Sequence, residues 1–278
     1  MKPKILASLA ALAVVVAVAG GATIAYFTSE QTSSGNTFAA GSLEFLVDSQ
    51  CSYNGKACVG GVWDGTTEPC SCVWTEKNLE EGDLFFNFQD LKPEDRGEDT
   101  ISIHNTGNPS WACAVIDVTA DDDISCKTVE TEDDSSCTTT LDIYAGDMAD
   151  NLAFAWWPDD GDNVLETGAE LDNIFFQSGA KLSDLLVDHK LYLTLADSNN
   201  NFFGTDGDPL APNGQYYIGT AWCFGDMTIG NDAAITCDGT LVNNESQTDK
   251  LVADLSFTAV QQRNNTDFQC VDTYDQEP

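Results

Sequence analysis

The feature that most limits the fold is a period of two. Along Leu251–Val260 the residues Leu251, Ala253, Leu255, Phe257 and Ala259 fall on one side of the chain, and this is the cleanest such run. Alternation of this kind places successive side chains on opposite faces of an extended strand. The same reading predicts strands over Ser42–Val47, with Leu43, Phe45 and Val47 on one face, and over Glu98–Asn105, with Ile101 and Ile103 together. Apolar runs predict further strands at Asp83–Phe88, Trp111–Val118, Leu152–Trp157, Leu191–Leu195 and Gln215–Phe224. Asp83–Phe88 and Glu98–Asn105 are expected to form a hairpin about the turn Lys92-Pro93-Glu94-Asp95. Pro158 is expected to stop its strand, leaving one of Trp156 and Trp157 in the core and the other on the surface. A helix is expected at Ala180–Val187, where Leu182, Leu185, Leu186 and Val187 make an apolar stripe. Short strands between Gly, Pro, Asn and Asp turns point to an all-β, antiparallel sandwich or jelly roll with one or two short helices.

Ten cysteines add a second constraint: Cys51, Cys58, Cys70, Cys72, Cys113, Cys126, Cys137, Cys223, Cys237 and Cys270. An even count in an exported chain argues for disulfides. Cys70-Ser71-Cys72 has neither the spacing nor a histidine for zinc. Cys126 with Cys137 and Cys223 with Cys237 are the expected close pairs, each bracketing a short polar loop, and the remaining six cannot be paired from sequence. Residues 48–77, rich in Gly and Cys and without a strong period, read as a disulfide-stapled insertion. Asp121-Asp122-Asp123 reads as an acidic loop and Ser125–Ser136 as a solvated, cystine-closed one.

The amino end has the anatomy of a secretory signal. Lys2 and Lys4 precede an apolar run from Ile5 to Ala19, and small residues follow, so cleavage is expected between Ala25 and Tyr26. The alternative is a retained span from Ile5 to Phe27, the only membrane contact expected. Lys and Arg total 11 against 46 Asp and Glu; without Lys2 and Lys4 the balance is 9 against 46, a net charge of −37. Such a surface repels nucleic acid and anionic lipid, and self-repulsion strains the compact state unless salt or divalent cations screen it.

The run GATIAYFTSEQTSSGNTFAAGSLEF resembles the signal region read by SipW-type signal peptidases, and proteins with this start form the TasA/camelysin superfamily of secreted matrix and filament proteins. Asp90–Asp95, Ile101–Pro109 and Asp249–Arg263 resemble the same superfamily in order along the chain. The resemblance implies a jelly-roll-like sandwich. It also implies head-to-tail assembly with copies of itself, in which the freed amino-terminal segment of one subunit completes the sheet of its neighbour. On this reading residues 1–25 are the signal, 26–41 the donor segment, 42–263 the sandwich and 264–278 an acidic tail, with Tyr26, Phe27 and Phe38 as assembly residues. The ten cysteines, the insertion and the extreme acidity depart from the TasA pattern.

The camelysin branch is described as metallopeptidase-like, so catalysis needs testing. The chain has two histidines, His104 and His189, far apart, and lacks H-E-x-x-H and G-x-S-x-G, so no catalytic residues are assigned and a non-enzyme is expected. The best ligand pattern is Asp160, Asp162, the carbonyl of Val164, and Glu166, whose spacing suits calcium although it matches an EF-hand only in part. Asp197, Asn199, Asn201 and Asp206 form a weaker candidate of the same kind. Two functions are carried forward, a structural subunit of an extracellular fibre, pilus or biofilm matrix and a monomeric calcium-dependent surface binding module, with a camelysin-type peptidase behind them.

Overall fold

The computed structural model describes residues 43–80, 82–139, 142–175 and 180–270. The cleavage position Ala25–Tyr26 and the assembly residues Tyr26, Phe27 and Phe38 lie outside them. Twelve strands follow in order: β1 (Leu43–Tyr53), β2 (Lys56–Val59), β3 (Val62–Trp63), β4 (Trp74–Lys77), β5 (Arg96–Gly107), β6 (Ser110–Asp123), β7 (Leu152–Asp159), β8 (Lys190–Ala196), β9 (Gly214–Phe224), β10 (Asp226–Ile229), β11 (Ile235–Asp238) and β12 (Asp249–Gln261). Among the described residues four single-turn helices interrupt them: α1 (Glu130–Asp133), α2 (Met148–Asn151), α3 (Ala169–Asp172) and α4 (Leu182–Leu185).

Two antiparallel sheets face each other. The larger has the order β3-β2-β1-β5-β9-β7, with β4 also on β1, and the smaller is β12-β6-β8. From β5 to β9 each successive strand changes sheet, the crossover habit of a jelly roll. Between the sheets lie Val47, Ile101, Ile103, Trp156 and Ile218 from one side and Ala112, Ala114, Ile116, Leu191, Leu193 and Leu195 from the other. Their alternation along each strand is the period of two made physical. A second cluster, Trp157, Leu165, Ala221, Met227 and Cys237, covers the outer face of β7 and β9 with the β10–β11 hairpin. Both Trp156 and Trp157 are therefore buried, at 0% and 1% exposed, which corrects the expectation that one would be superficial. The strand that carries them also runs through Pro158. β7 ends its sheet, and an edge strand tolerates a residue that lacks a ladder N–H.

Asp83–Phe88 is not a strand, and β5 pairs with β1 and β9 instead. Its aromatic side chains are used separately: Phe85 meets Trp74 at 4.9 Å, Phe86 meets Phe154 at 5.8 Å and Phe88 meets Trp222 at 4.6 Å. A ribbon laid across a sandwich end to plug gaps has no ladder partner. The expected helix Ala180–Val187 shrinks to α4 because its flanks are drawn into bridges, Lys181 with Ala153 and Val187 with Lys190.

Five disulfides close the structure: Cys51–Cys72, Cys58–Cys70, Cys113–Cys270, Cys126–Cys137 and Cys223–Cys237. The two pairs expected from spacing are among them. Cys58–Cys70 nests inside Cys51–Cys72, so the insertion is stapled twice, around buried Trp63. Five cystines fit an extracellular protein better than a reducing compartment. Residues 264–270, read as the start of an acidic tail, are instead fastened to β6: Cys270 bonds Cys113, and the Trp111 indole N–H donates to the Asn265 carbonyl at 2.6 Å.

Candidate functional site

The two margins of the smaller sheet differ. On β8 the inward residues Leu191, Leu193 and Leu195 are buried in the core, at 7%, 1% and 0% exposed. On β12 none of the thirteen residues is buried. Its inward positions are set by register: Ala259, Phe257 and Leu255 stand opposite Ala112, Ala114 and Ile116 of the core. Phe257 and Leu255 are only half-covered there, and Ala253 is exposed. Phe85 reaches Phe257 edge-on at 6.2 Å and shields part of it. Among the described residues no strand pairs with the far side of β12, which leaves one row of its N–H and C=O groups off any ladder. Apolar side chains turned inward yet left half-wet along an unpaired margin mark a place for an added extended segment.

The acidic loop after β7 is organised by a residue that the sequence reading passed over. Asp159 Oδ2 accepts from the N–H groups of Gly161 and Asn163, at 2.9 and 3.1 Å, and its Oδ1 accepts from the Trp157 indole at 3.1 Å. Leu165 anchors the far side in the Trp157 cluster. The loop gathers carboxylates as two triads sharing Asp160: Asp159, Asp160 and Asp162 in one, Asp160, Glu166 and Glu170 in the other, each with oxygens within 4.8 Å. Asp160, Asp162 and Glu166 thus meet around a common member, joined by Asp159 and Glu170; Val164, between them in the loop, is 54% exposed. Glu170 also accepts from the Glu166 N–H at 2.9 Å. Its carboxyl is held above the ordinary value, first by desolvation and then by the nearby Asp159, Glu166 and Asp160, with that N–H pulling the other way. The four-residue spacing of Glu166 and Glu170 was the signal available for the second triad.

The weaker loop is a closed turn. Asp197 is 3% exposed, and its Oδ1 accepts from the N–H groups of Asn199 and Asn200 at 2.8 and 2.7 Å. Its Oδ2 accepts from the Cys270 N–H at 3.3 Å, so both oxygens serve the backbone. The Asn201 amide donates to the Asp208 carbonyl at 2.6 Å, and Asp206 accepts from the Asn201 N–H at 3.2 Å. The histidines lie apart in different settings. His104 lies with its Nε2 2.7 Å from Asp48 and its Nδ1 3.7 Å from Glu76, whereas His189 stacks on Tyr144 with centroids 3.7 Å apart. Compared with known proteins, the chain matches no family model and no curated relative.

Proposed function

We propose that this protein is a secreted structural subunit of an extracellular fibre, pilus or biofilm matrix, and that it assembles with copies of itself by strand donation. A SipW-type signal peptidase would free the segment Tyr26–Ala40, which would add along β12 of a neighbour, Phe38 seating near Phe257 and Leu255. The observation that carries this reading is the contrast between β8 and β12: one margin has its inward leucines covered and the other does not. Main-chain hydrogen bonds would provide affinity and the half-covered pockets specificity. A head-to-tail contact of this kind does not close on itself, so it propagates as a filament.

Electron microscopy and sedimentation of mature protein, with and without residues 26–40, test the reading. Filaments are expected from the first and single subunits from the second, and a peptide of sequence 26–40 should raise the melting temperature of the shortened chain. Phe257→Asp should abolish growth while leaving the signals of folded protein. Monodisperse mature protein at high concentration, with its own leader folded back along β12, would defeat the proposal.

A second reading has its own observation, the two exposed triads around Asp160. On that reading the loop holds calcium and the protein is a monomeric surface binding module. Ligand capture would then persist without residues 26–40 and fail in Asp160→Asn.

A further inference from the structure

Within 121–136, which sequence alone presents as acidic loops, most residues of 125–136 are exposed as a solvated loop would be, but Asp121, Asp123, Glu130 and Asp134 turn inward. β6 continues through Asp121–Asp123, and Asp121 and Asp123 are 6% and 5% exposed. Across the ladder Asp123 stands directly opposite Asp249, the first residue of β12. Like charges in that relation are destabilising. α1 then brings Glu130, at 0% exposed, to the same place, and oxygens of Asp123, Glu130 and Asp249 lie within 4.8 Å of one another. Asp147 is near enough to Asp134 and Asp123 to be repelled by both.

These carboxylates share a pattern: one oxygen is tied down and the other is offered. The Thr138 N–H donates to Asp123 Oδ2 at 2.6 Å and the Asp147 N–H to Asp249 Oδ2 at 2.7 Å. The Ser136 N–H donates to Asp134 Oδ1 at 2.7 Å and the Ala149 N–H to Asp121 Oδ2 at 3.0 Å. Their second oxygens, and Asp147 Oδ2, are enclosed and meet no donor. Glu130 Oε2 is held by the Lys127 N–H at 3.0 Å and the Thr248 hydroxyl at 3.2 Å. Its Oε1 faces the Cys137 sulfur at 3.3 Å, which is in a disulfide and has no proton to give. No ion pair among the described residues reaches the group. Burying carboxylates without a positive partner is costly, and one shared proton between Asp123 and Asp249 would leave the other oxygens unmatched.

We propose that this pocket, beneath the Cys126–Cys137 loop, is a structural calcium site with Asp123, Glu130 and Asp249 at its centre and Asp134 and Asp147 at its margin. Donors that are all oxygen, numerous and irregularly placed suit calcium; zinc prefers nitrogen and sulfur, and magnesium a regular octahedron that keeps its water. The ion would join the end of β6, the α1 loop and the start of β12. The inference does not rest on the assembly reading.

The test is calcium titration of chelator-treated mature protein by calorimetry and thermal unfolding, with magnesium as a second arm. Saturating calcium should raise the melting temperature by about 5–10 °C, and magnesium by less. Asp123→Asn and Asp249→Asn should each melt higher than the parent in chelator and lose the calcium response, an inversion that a merely packed carboxylate would not give. Asp160→Asn with Glu166→Gln should keep the response in full. The proposal falls if the parent shows neither binding heat nor a calcium-dependent shift, a result independent of how any variant folds. It also falls if the response survives Asp123→Asn and Asp249→Asn but disappears in the Asp160 and Glu166 pair.

Discussion

Asp99 lies in the middle of β5, fully enclosed, paired in register with Cys51 on one side and Thr220 on the other, and neither of its oxygens has a partner. Desolvation, and then the neighbouring Glu98 charge, push its carboxyl well above the usual range. A raised folded value means that the native state binds the proton more tightly than the unfolded chain does. The stabilisation is therefore complete below the unfolded value near 4 and is lost as pH rises through the folded one. Asp99→Asn should flatten this part of the pH dependence and stabilise the protein at pH 8 by about 1–3 kcal/mol. Denaturant unfolding at pH 5 and pH 8 reads it, and parallel slopes for parent and variant would contradict the assignment. Gly97, two residues earlier, makes a steric prediction. A methyl group there would enter the Trp222 indole and the Ser52 carbonyl. Gly97→Ala should cost about 2–3 kcal/mol, seen as a lower denaturation midpoint at unchanged slope.

At the scale of elements, the disulfides divide by what they hold. Cys58–Cys70 spans 12 residues inside the insertion, whereas Cys113–Cys270 spans 157 and ties the segment after β12 to the central strand β6. Loop-closure entropy ranks their removal at about 3 and about 5 kcal/mol respectively. Paired Cys→Ser variants, compared by denaturant midpoint, should keep that order, and the reverse order would mean that the segment after β12 is held by packing alone. The short pairs were legible in the sequence because their partners are close along the chain. Asp83–Phe88 was misread for the opposite reason. An apolar run has the same appearance whether it joins a ladder or plugs a gap, and only the position of Trp74, Phe154 and Trp222 decides between them. Pro158 was read as a stop because a sequence does not say which strand lies at an edge.

Over the whole molecule the excess of acid governs behaviour in solution. At a net charge of −35, repulsion opposes the compact state. In chelator the melting temperature should rise by about 5 °C as sodium chloride goes from 0.05 to 1 M and the screening length falls from beyond 10 Å to about 3 Å. A flat response would show that surface repulsion is not in the balance. The predominance of strand and the cystines of Cys126 and Cys223 were determined by the sequence itself, because each depends on neighbours within a few residues or one short loop. Half of the loop at Asp160 was visible for the same reason. Folding alone decided that β12 keeps a bare margin and that Asp123, Glu130 and Asp249 converge. Those outcomes depend on pairing residue 123 with residue 249 and residue 112 with residue 259, and such long-range register is absent from any local pattern of residue types.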